Sequence, residues 1–200
     1  MTAPSFERID LAQIAPQPWK NGAGLTREIA VHPAGAGLAD FDWRVSVAEV
    51  ARDAPFSAFP GVDRCITLLR GAGMRLASEA GAFDARLDRP LLPLYFSGDL
   101  PLSATLIDGP CSDLNVMTRR GIARCEVTRH DIAVDLAAVD LPAAEACLLW
   151  CCGSDAWQVG EHHLAPMQGL LWRADSPALS LRPLGHGALL EIRFCQDRSR

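Results

Sequence analysis

A chain of 200 residues with 49% hydrophobic side chains can build one large β domain, or two small packed barrels, around a sizeable core. At a net charge of −5 it holds no run of Lys or Arg that would make the one-signed basic stripe a sequence-independent DNA or RNA binder needs, and its densest basic cluster (Arg119, Arg120, Arg124, Arg129) has acids nearby. No apolar run reaches the ~18 residues of a membrane helix, and residues 1–10 lack the basic-then-apolar order of a signal peptide, so a soluble, cytoplasmic protein is expected.

Turn formers, 16 Gly and 14 Pro, punctuate the whole length. Between them lie short runs of strand character. Phe41, Trp43, Val45 and Val47 alternate with Asp42, Arg44, Ser46 and Ala48. Ile66 to Leu69 runs into Gly71 and Gly73, a spacing that suggests a hairpin. Further strands are expected at 91–96, 100–107, 115–118, 123–128, 147–151, 170–172, 178–181 and 189–194. Helical signals are weak, with one short helix expected at Asp135–Val139, ending near Pro142. Many short strands at this spacing predict an all-β sandwich or barrel.

The pattern also repeats. ITLLRGAGMRL followed by RPLLPLYFSGDLPLSATLIDG is echoed by CLLWCCGSDAWQV followed by APMQGLLWRADSPALSLRPLG. In each copy an apolar strand ends at a Gly turn (Gly71, Gly153). A Pro then leads an apolar-aromatic strand, and an acidic turn precedes another apolar strand. Such a long repeat suggests two similar barrels in tandem rather than a solenoid.

Four segments could carry chemistry. Trp19-Lys20-Asn21-Gly22-Ala23-Gly24 joins an aromatic, a cation and an amide to a flexible turn whose N–H groups could approach an anion. It lacks the spacing of a phosphate-binding loop, and a purely structural turn is the competing reading. In Trp43-Arg44-Val45-Ser46, alternation puts Arg44 and Ser46 on one face. Facing inward they could clamp a carboxylate; facing outward they would merely be wet. The loop Pro55–Arg64 carries Phe56, Ser57, Phe59, Asp63 and Arg64, and could line a cavity mouth. The alternative is a loop anchored by its phenylalanines, with an Asp63–Arg64 pair outside. Alternation in Asp113–Arg120 places Asp113, Asn115 and Met117 together, facing a ligand or simply closing a strand.

The five histidines (His32, His130, His162, His163, His186) do not supply three convergent metal ligands by spacing. No nucleophile elbow is present. The seven cysteines form no C-x-x-C pair and several lie in apolar runs, as small hydrophobes do in a reducing compartment. Cys151 and Cys152 sit in one such run, a poor place for a reactive thiolate.

The strings PWKNGAGLTREIA, DWRVSVAEV, PFSAFPGVDRCITLLRGAGMRL, FSGD, LIDGPCSDLNVMTRRG and ALLEIRF resemble, in order, the motifs of the HutD/Ves family. The resemblance covers about residues 5–130; the C-terminal part is similar in pattern only. Ala23 stands where the family's first motif has its middle glycine. The resemblance implies an all-β bicupin: two tandem cupin-like β-barrels packed together. One spans 1–130, and 131–200 holds the remainder of the second, with strands open to exchange between them. It implies loss of the cupin metal histidines, no cofactor and no established enzyme activity. It also implies a link to histidine utilisation, through sensing or buffering a metabolite such as N-formylglutamate. Trp19, Lys20, Asn21, Arg44, Ser46, Ser57, Phe59, Arg64, Asn115 and Met117 stand in matching motifs and are the expected ligand-binding residues.

The leading expectation is thus a metal-free binder of a small carboxylate, with no nucleic-acid or membrane partner. One alternative is a metal-free isomerase or hydrolase acting on a small acid, with Asp63, Asp113 or Glu28 as base and Lys20 as acid. Another is a regulatory module working through protein contacts, including a homodimer.

Overall fold

The structure is a computed structural model that describes residues 6–79, 81–136, 146–173 and 179–197. It begins with Phe6–Asp10 (β1) and a short 3-10 turn, Leu11–Gln13. Then follow Gln17–Pro18 (β2), Gly24–His32 (β3), Trp43–Val50 (β4), Ala54–Phe56 (β5), Val62–Arg70 (β6), Met74–Ser78 (β7), Asp84–Leu87 (β8), Pro93–Ser97 (β9), Leu102–Leu106 (β10) and Cys111–Arg119 (β11). The later strands are Ala123–His130 (β12), Val134–Leu136 (β13), Ala146–Cys152 (β14), Trp157–Val159 (β15), His162–Leu164 (β16), Gln168–Arg173 (β17), Leu179–Pro183 (β18) and Ala188–Gln196 (β19). No helix among the described residues is long and apolar enough to cross a membrane.

The chain divides into two compact units, residues 14–123 and residues 1–13 with 124–200. The first holds a sheet ordered β2-β3-β4-β11-β6-β9 and a second ordered β5-β10-β7-β8. The other holds β1-β17-β14-β19-β12 and β13-β18-β15-β16. The eight strands β4–β11 and the eight strands β12–β19 therefore pair in the same order, which is the repeat legible in the sequence. The division differs from a cut at residue 130. Phe6–Asp10 pairs antiparallel with Gln168–Arg173 and covers what would be that sheet's edge, and β12 joins the sheet of β19.

In each unit the core draws on both sheets. Val50, Ile66, Leu68 and Phe96 of the larger sheet pack with Met74, Leu76, Leu87 and Leu102 of the smaller one. In the other unit Cys147, Leu149, Leu170 and Trp172 pack with Trp157, Val159, Leu164 and Leu181. Among the described residues the ladders form four open sheets, and none closes a barrel. Burial between two facing sheets does the work that closure would do.

The expected hairpin at Gly71–Gly73 is a sheet-to-sheet crossing instead. Strand β6 pairs with β9 and β11, whereas β7 pairs with β8 and β10. Gly71 (φ 87°) and Gly73 (φ 93°) adopt the left-handed conformation that lets the chain leave one sheet for the other. A Cβ at Gly73 would lie 1.8 Å from the carbonyl oxygen of Leu87. The helix expected at 135–139 is not seen at its start, since Val134–Leu136 pairs with β18; residues 137–145 lie outside those described.

Cys65, Cys111, Cys147, Cys151 and Cys152 are buried thiols, as expected of small hydrophobes. Burial pushes the Cys65 thiol up to about 12 and the Cys151 thiol to about 11, and it raises Cys152 as well.

Gly61 (φ 76°) has open space where a Cβ would go, so Gly61→Ala should cost only the ~1–3 kcal/mol of left-handed strain. Gly73→Ala adds a clash with backbone that cannot swing aside. Urea unfolding should show it clearly the less stable of the two variants, and equal midpoints would contradict the close approach at Leu87.

Candidate functional site

Strand alternation builds a polar patch on an inner face. Across β4, β11 and β6 the register places Ser46 opposite Asn115, Arg44 opposite Met117, Met117 opposite Arg64, and Asn115 opposite Ile66. Directly opposed residues share a face. Ile66 belongs to the core between the two sheets, so Arg44, Ser46, Arg64, Asn115 and Met117 point into the same interior. The opposite face of these strands carries Val45, Val47, Leu114 and Val116, so the reading in which Arg44 and Ser46 lie on an outer, wet face does not hold.

Two guanidinium groups anchor the patch. Arg44 is 7% exposed and Arg64 5%. Arg44 Nε donates to Glu28 Oε2 at 2.7 Å, and its Nη1 reaches Ser46 Oγ at 3.3 Å and Met117 Sδ at 3.9 Å. Arg64 Nε donates to Asn115 Oδ1 at 3.3 Å and its Nη1 to the Ser57 carbonyl at 3.1 Å. Three rings surround the Arg64 guanidinium, with centroids 4.3 Å (Phe56), 5.5 Å (Phe59) and 5.3 Å (Phe96) away. Such contacts are attractive and hold the planar fork in place. Among the described residues no hydrogen bond engages Nη2 of either arginine. Burial pulls Arg64 down to about 10, with Asp113 opposing and Arg44 adding to the effect. It stays charged at neutral pH.

Asp113 lies on the same face of β11, two residues from Asn115 and opposite Ala48 and Leu68. It is fully buried, and neither carboxyl oxygen has a hydrogen-bond partner among the described residues. Burial pushes its carboxyl up to about 7, against the pull of Arg64.

A surface knot pins the loop that supplies two of the aromatic rings and the Ser57 carbonyl. Phe59 N donates to the Gly98 carbonyl at 2.6 Å, and Gly98 N to the Val62 carbonyl at 2.7 Å. Asp99 accepts from Gly61 N and from Ser97 Oγ, each at 2.7 Å, and pairs with Arg120. The Gly61 amide and these side-chain donors hold the Asp99 carboxyl down to about 2. The FSGD string is therefore the lock on the Arg64 cage.

The remaining expected residues sit elsewhere. Trp19 Nε1 donates to Thr26 Oγ1 at 2.7 Å, and its ring packs on the core. Asn21 Oδ1 accepts from Ala23 N at 3.0 Å, and Lys20 is exposed. These contacts close the turn between β2 and β3 on itself, and no hydrogen bond among the described residues joins Trp19, Lys20 or Asn21 to Arg44 or Arg64; Asn21 instead takes a bond from Arg52. Gly22 takes the left-handed conformation (φ 66°) and Ala23 does not, so an alanine fits there. Ser57 contributes its carbonyl and has an exposed side chain. Asp63 does not pair with Arg64; neighbours on a strand face opposite ways, and Asp63 meets Arg120 on the surface.

Sequence reasoning missed Phe96 as a wall of the Arg64 cage, although it opens the FSGD string. It also missed a buried ionic group in the other unit, where Glu191 (3% exposed) bonds His130 Nε2 at 2.8 Å and pairs with Arg193. The signal was ALLEIRF, in which Glu191 and Arg193 share a face by period 2. No group of three His, Cys, Asp or Glu residues is placed to hold a metal ion among the described residues. A surface groove of about 380 Å³ along Arg86–Arg89 and Leu92–Leu94 shares no residue with the arginine patch.

Comparisons with known proteins place this geometry. The HutD family model matches residues 11–190. Protein Ves of Citrobacter koseri is 37% identical over 191 residues, 94% of this chain and 95% of that protein. The structure of HutD from Pseudomonas fluorescens SBW25, in a formate condition, superposes with a TM-score of 0.82 at 29% identity, over 96% of this chain and 99% of that one. More distant likeness reaches the oxalate decarboxylase–formate complex of Lactobacillus farciminis at a TM-score of 0.61 and 7% identity, covering 97% of this chain and 86% of that one. That likeness speaks for the fold alone, which is all-β and cupin-like.

The Asp113 carboxyl gives a stability prediction whose sign follows from its raised value. Between about pH 4 and 7 the folded protein keeps a proton that the unfolded chain has released. Stability contributed by that proton is full below about pH 4, is lost as pH rises to about 7, and changes no further above it. Asp113→Asn, which keeps the shape without the charge, should match the parent at low pH. It should be the more stable protein at pH 8, by about 1–3 kcal/mol, the scale for a buried unsatisfied group. Urea unfolding at pH 4 and pH 8 checks this; a variant less stable at pH 8 would mean that the ionised carboxylate is held favourably.

Proposed function

The chain belongs to the HutD family, and we propose that it binds a small carboxylate on Arg44 and Arg64, inside the unit formed by residues 14–123. The observation that carries this reading is the pair of buried guanidiniums with Nη2 donors facing no partner among the described residues. A cation taken out of water needs a counter-charge and full hydrogen bonding. Glu28 supplies one carboxylate, at Arg44. A ligand carboxylate would supply the other, and the planar fork of arginine suits two oxygens.

The neighbours divide the remaining work. Ser46 and Asn115 are neutral hydrogen-bonding partners, Met117 and Phe59 give apolar cover, and the phenylalanine cage keeps Arg64 oriented in advance. Pre-organisation of this kind lowers the ordering cost of binding. We read the two-unit repeat as a bicupin architecture and the protein as a metal-free cytoplasmic sensor or buffer for a metabolite of histidine utilisation, N-formylglutamate being the first ligand to try. Formate is the second, since the structure of HutD from Pseudomonas fluorescens SBW25 is of a formate condition.

Thermal unfolding with N-formylglutamate, formate, glutamate, urocanate and histidine, with EDTA as control, tests the reading. A ligand present at ~100 times its dissociation constant stabilises the fold by ~2.7 kcal/mol. Arg44→Ala should weaken the bound carboxylate by about 1.5–3 kcal/mol, as loss of a charge-assisted hydrogen bond does. Arg64→Lys, which keeps the charge but loses the fork, should weaken it less. No shift with any of these compounds, or unchanged affinity in both variants, would sink the assignment; destabilisation by EDTA would contradict the metal-free part.

A further inference from the structure

The charges around the arginine patch do not sum to a fixed value. Arg44 and Arg64 bring two positive charges, and Glu28, paired with Arg44, brings one negative. The remaining group is Asp113, fully buried on β11 with both oxygens unpartnered among the described residues. Its surroundings contain few other charges. Arg64 approaches from β6, Arg44 and Glu28 stand on the other side of β11 on β4 and β3, and Cys111 shares its own strand. From the smaller sheet, the packed residues Phe56, Met74, Leu76, Leu87, Leu102 and Ala104 carry no titratable group.

Two charge states follow. With Asp113 ionised the cluster is neutral and has no need of an anion. With Asp113 protonated it carries one net positive charge in a water-poor interior, a state that an anion would neutralise. A protonated carboxyl in an apolar site can also donate its hydrogen to an oxyanion. We infer that the site takes up its carboxylate ligand together with a proton, and that Asp113 is the residue that holds the proton. This deepens the carboxylate-binding reading and rests on it.

Linkage fixes the consequence. If protonation favours the anion, the anion favours protonation equally. Affinity should therefore fall as pH rises above neutrality, by up to tenfold per pH unit. The chain would act as a carboxylate binder whose occupancy reports pH as well as ligand concentration. Asp113 is then a residue that sets when the site binds, rather than one that grips the ligand's carbon skeleton.

The experiment is calorimetric titration of the full chain with N-formylglutamate and with formate at pH 6, 7, 8 and 9, in two buffers of unlike ionisation enthalpy. The probes' own carboxyls stay ionised throughout. The expected result is uptake of close to one proton per ligand at pH 8 and a roughly 50-fold loss of affinity from pH 7 to pH 9. In Asp113→Asn the proton uptake and the slope should both vanish. Binding by the parent protein with no proton uptake and a flat profile overturns the inference and leaves the carboxylate site standing. Proton uptake that persists in Asp113→Asn overturns the assignment to this residue. No binding of either probe at any pH overturns the carboxylate reading and this inference together. The parent's two-buffer titration decides the first point even if the variant fails to fold.

Discussion

Two guanidinium groups turned inward between packed sheets are the constraint around which the 14–123 unit is arranged. A strand offers only two faces, so placing Arg44 and Arg64 inside commits every second residue of β4 and β6 to the same interior. Each cation is then compensated by a different means. Arg44 has a carboxylate, a hydroxyl and a thioether. Arg64 has an amide oxygen, a backbone carbonyl and three aromatic faces. The second solution is weaker in formal charge, because ring faces attract a cation without neutralising it. That difference leaves Arg64 with the less compensated charge of the two, and the loop bearing Phe59 beside it is held by Gly98 and Asp99.

The other unit shows that the scaffold does not dictate the chemistry. Its strands repeat the same pairing order, yet its buried polar group is His130, Glu191 and Arg193, with the carboxylate in the middle and nitrogen partners on either side. There the charge is shared locally and the polar atoms of the group meet one another. In the 14–123 unit the buried acid and the buried bases stand apart: no ion pair joins Asp113 to Arg64, even though each perturbs the other. One architecture thus holds a closed ionic group in one copy and an open one in the other, and an open group is the kind that a small molecule can complete.

How much of this was legible beforehand depended on which physical rule governed each residue. Each of the ten runs read as strands overlaps an observed strand, because period-2 alternation and turn residues are local signals. The repeat was visible as pattern for the same reason. The Gly71–Gly73 turn was misread because a glycine pair reports that the chain turns and not which sheet receives it; only the register of β7 with β10 settles that. Parity grouped Arg44 with Ser46, and Asn115 with Met117, each within its own strand; it left the inside–outside question open and did not join Arg64 to either group. Asp113 was grouped with Asn115 and Met117 by parity and offered as one of three possible bases, but not as a buried acid without a partner. Its isolation is a property of three strands at once, and no single segment contains it.

A fixed guanidinium can do for an anion part of what a bound metal does: provide a buried positive charge at a set position. It differs in two respects. Its geometry is planar and favours two-oxygen ligands, and its charge is not adjustable by exchange of ligands. Any adjustment must come from titratable neighbours. Glu28 is partly exposed and already committed to Arg44, and the described inner surface of the smaller sheet is apolar. Among the described residues the buried carboxyl without a hydrogen-bond partner is Asp113, whose affinity for protons is balanced near neutrality by burial on one side and Arg64 on the other. In such an interior the ligand and the proton are two answers to the same electrostatic demand, so a change in either must be felt by the other.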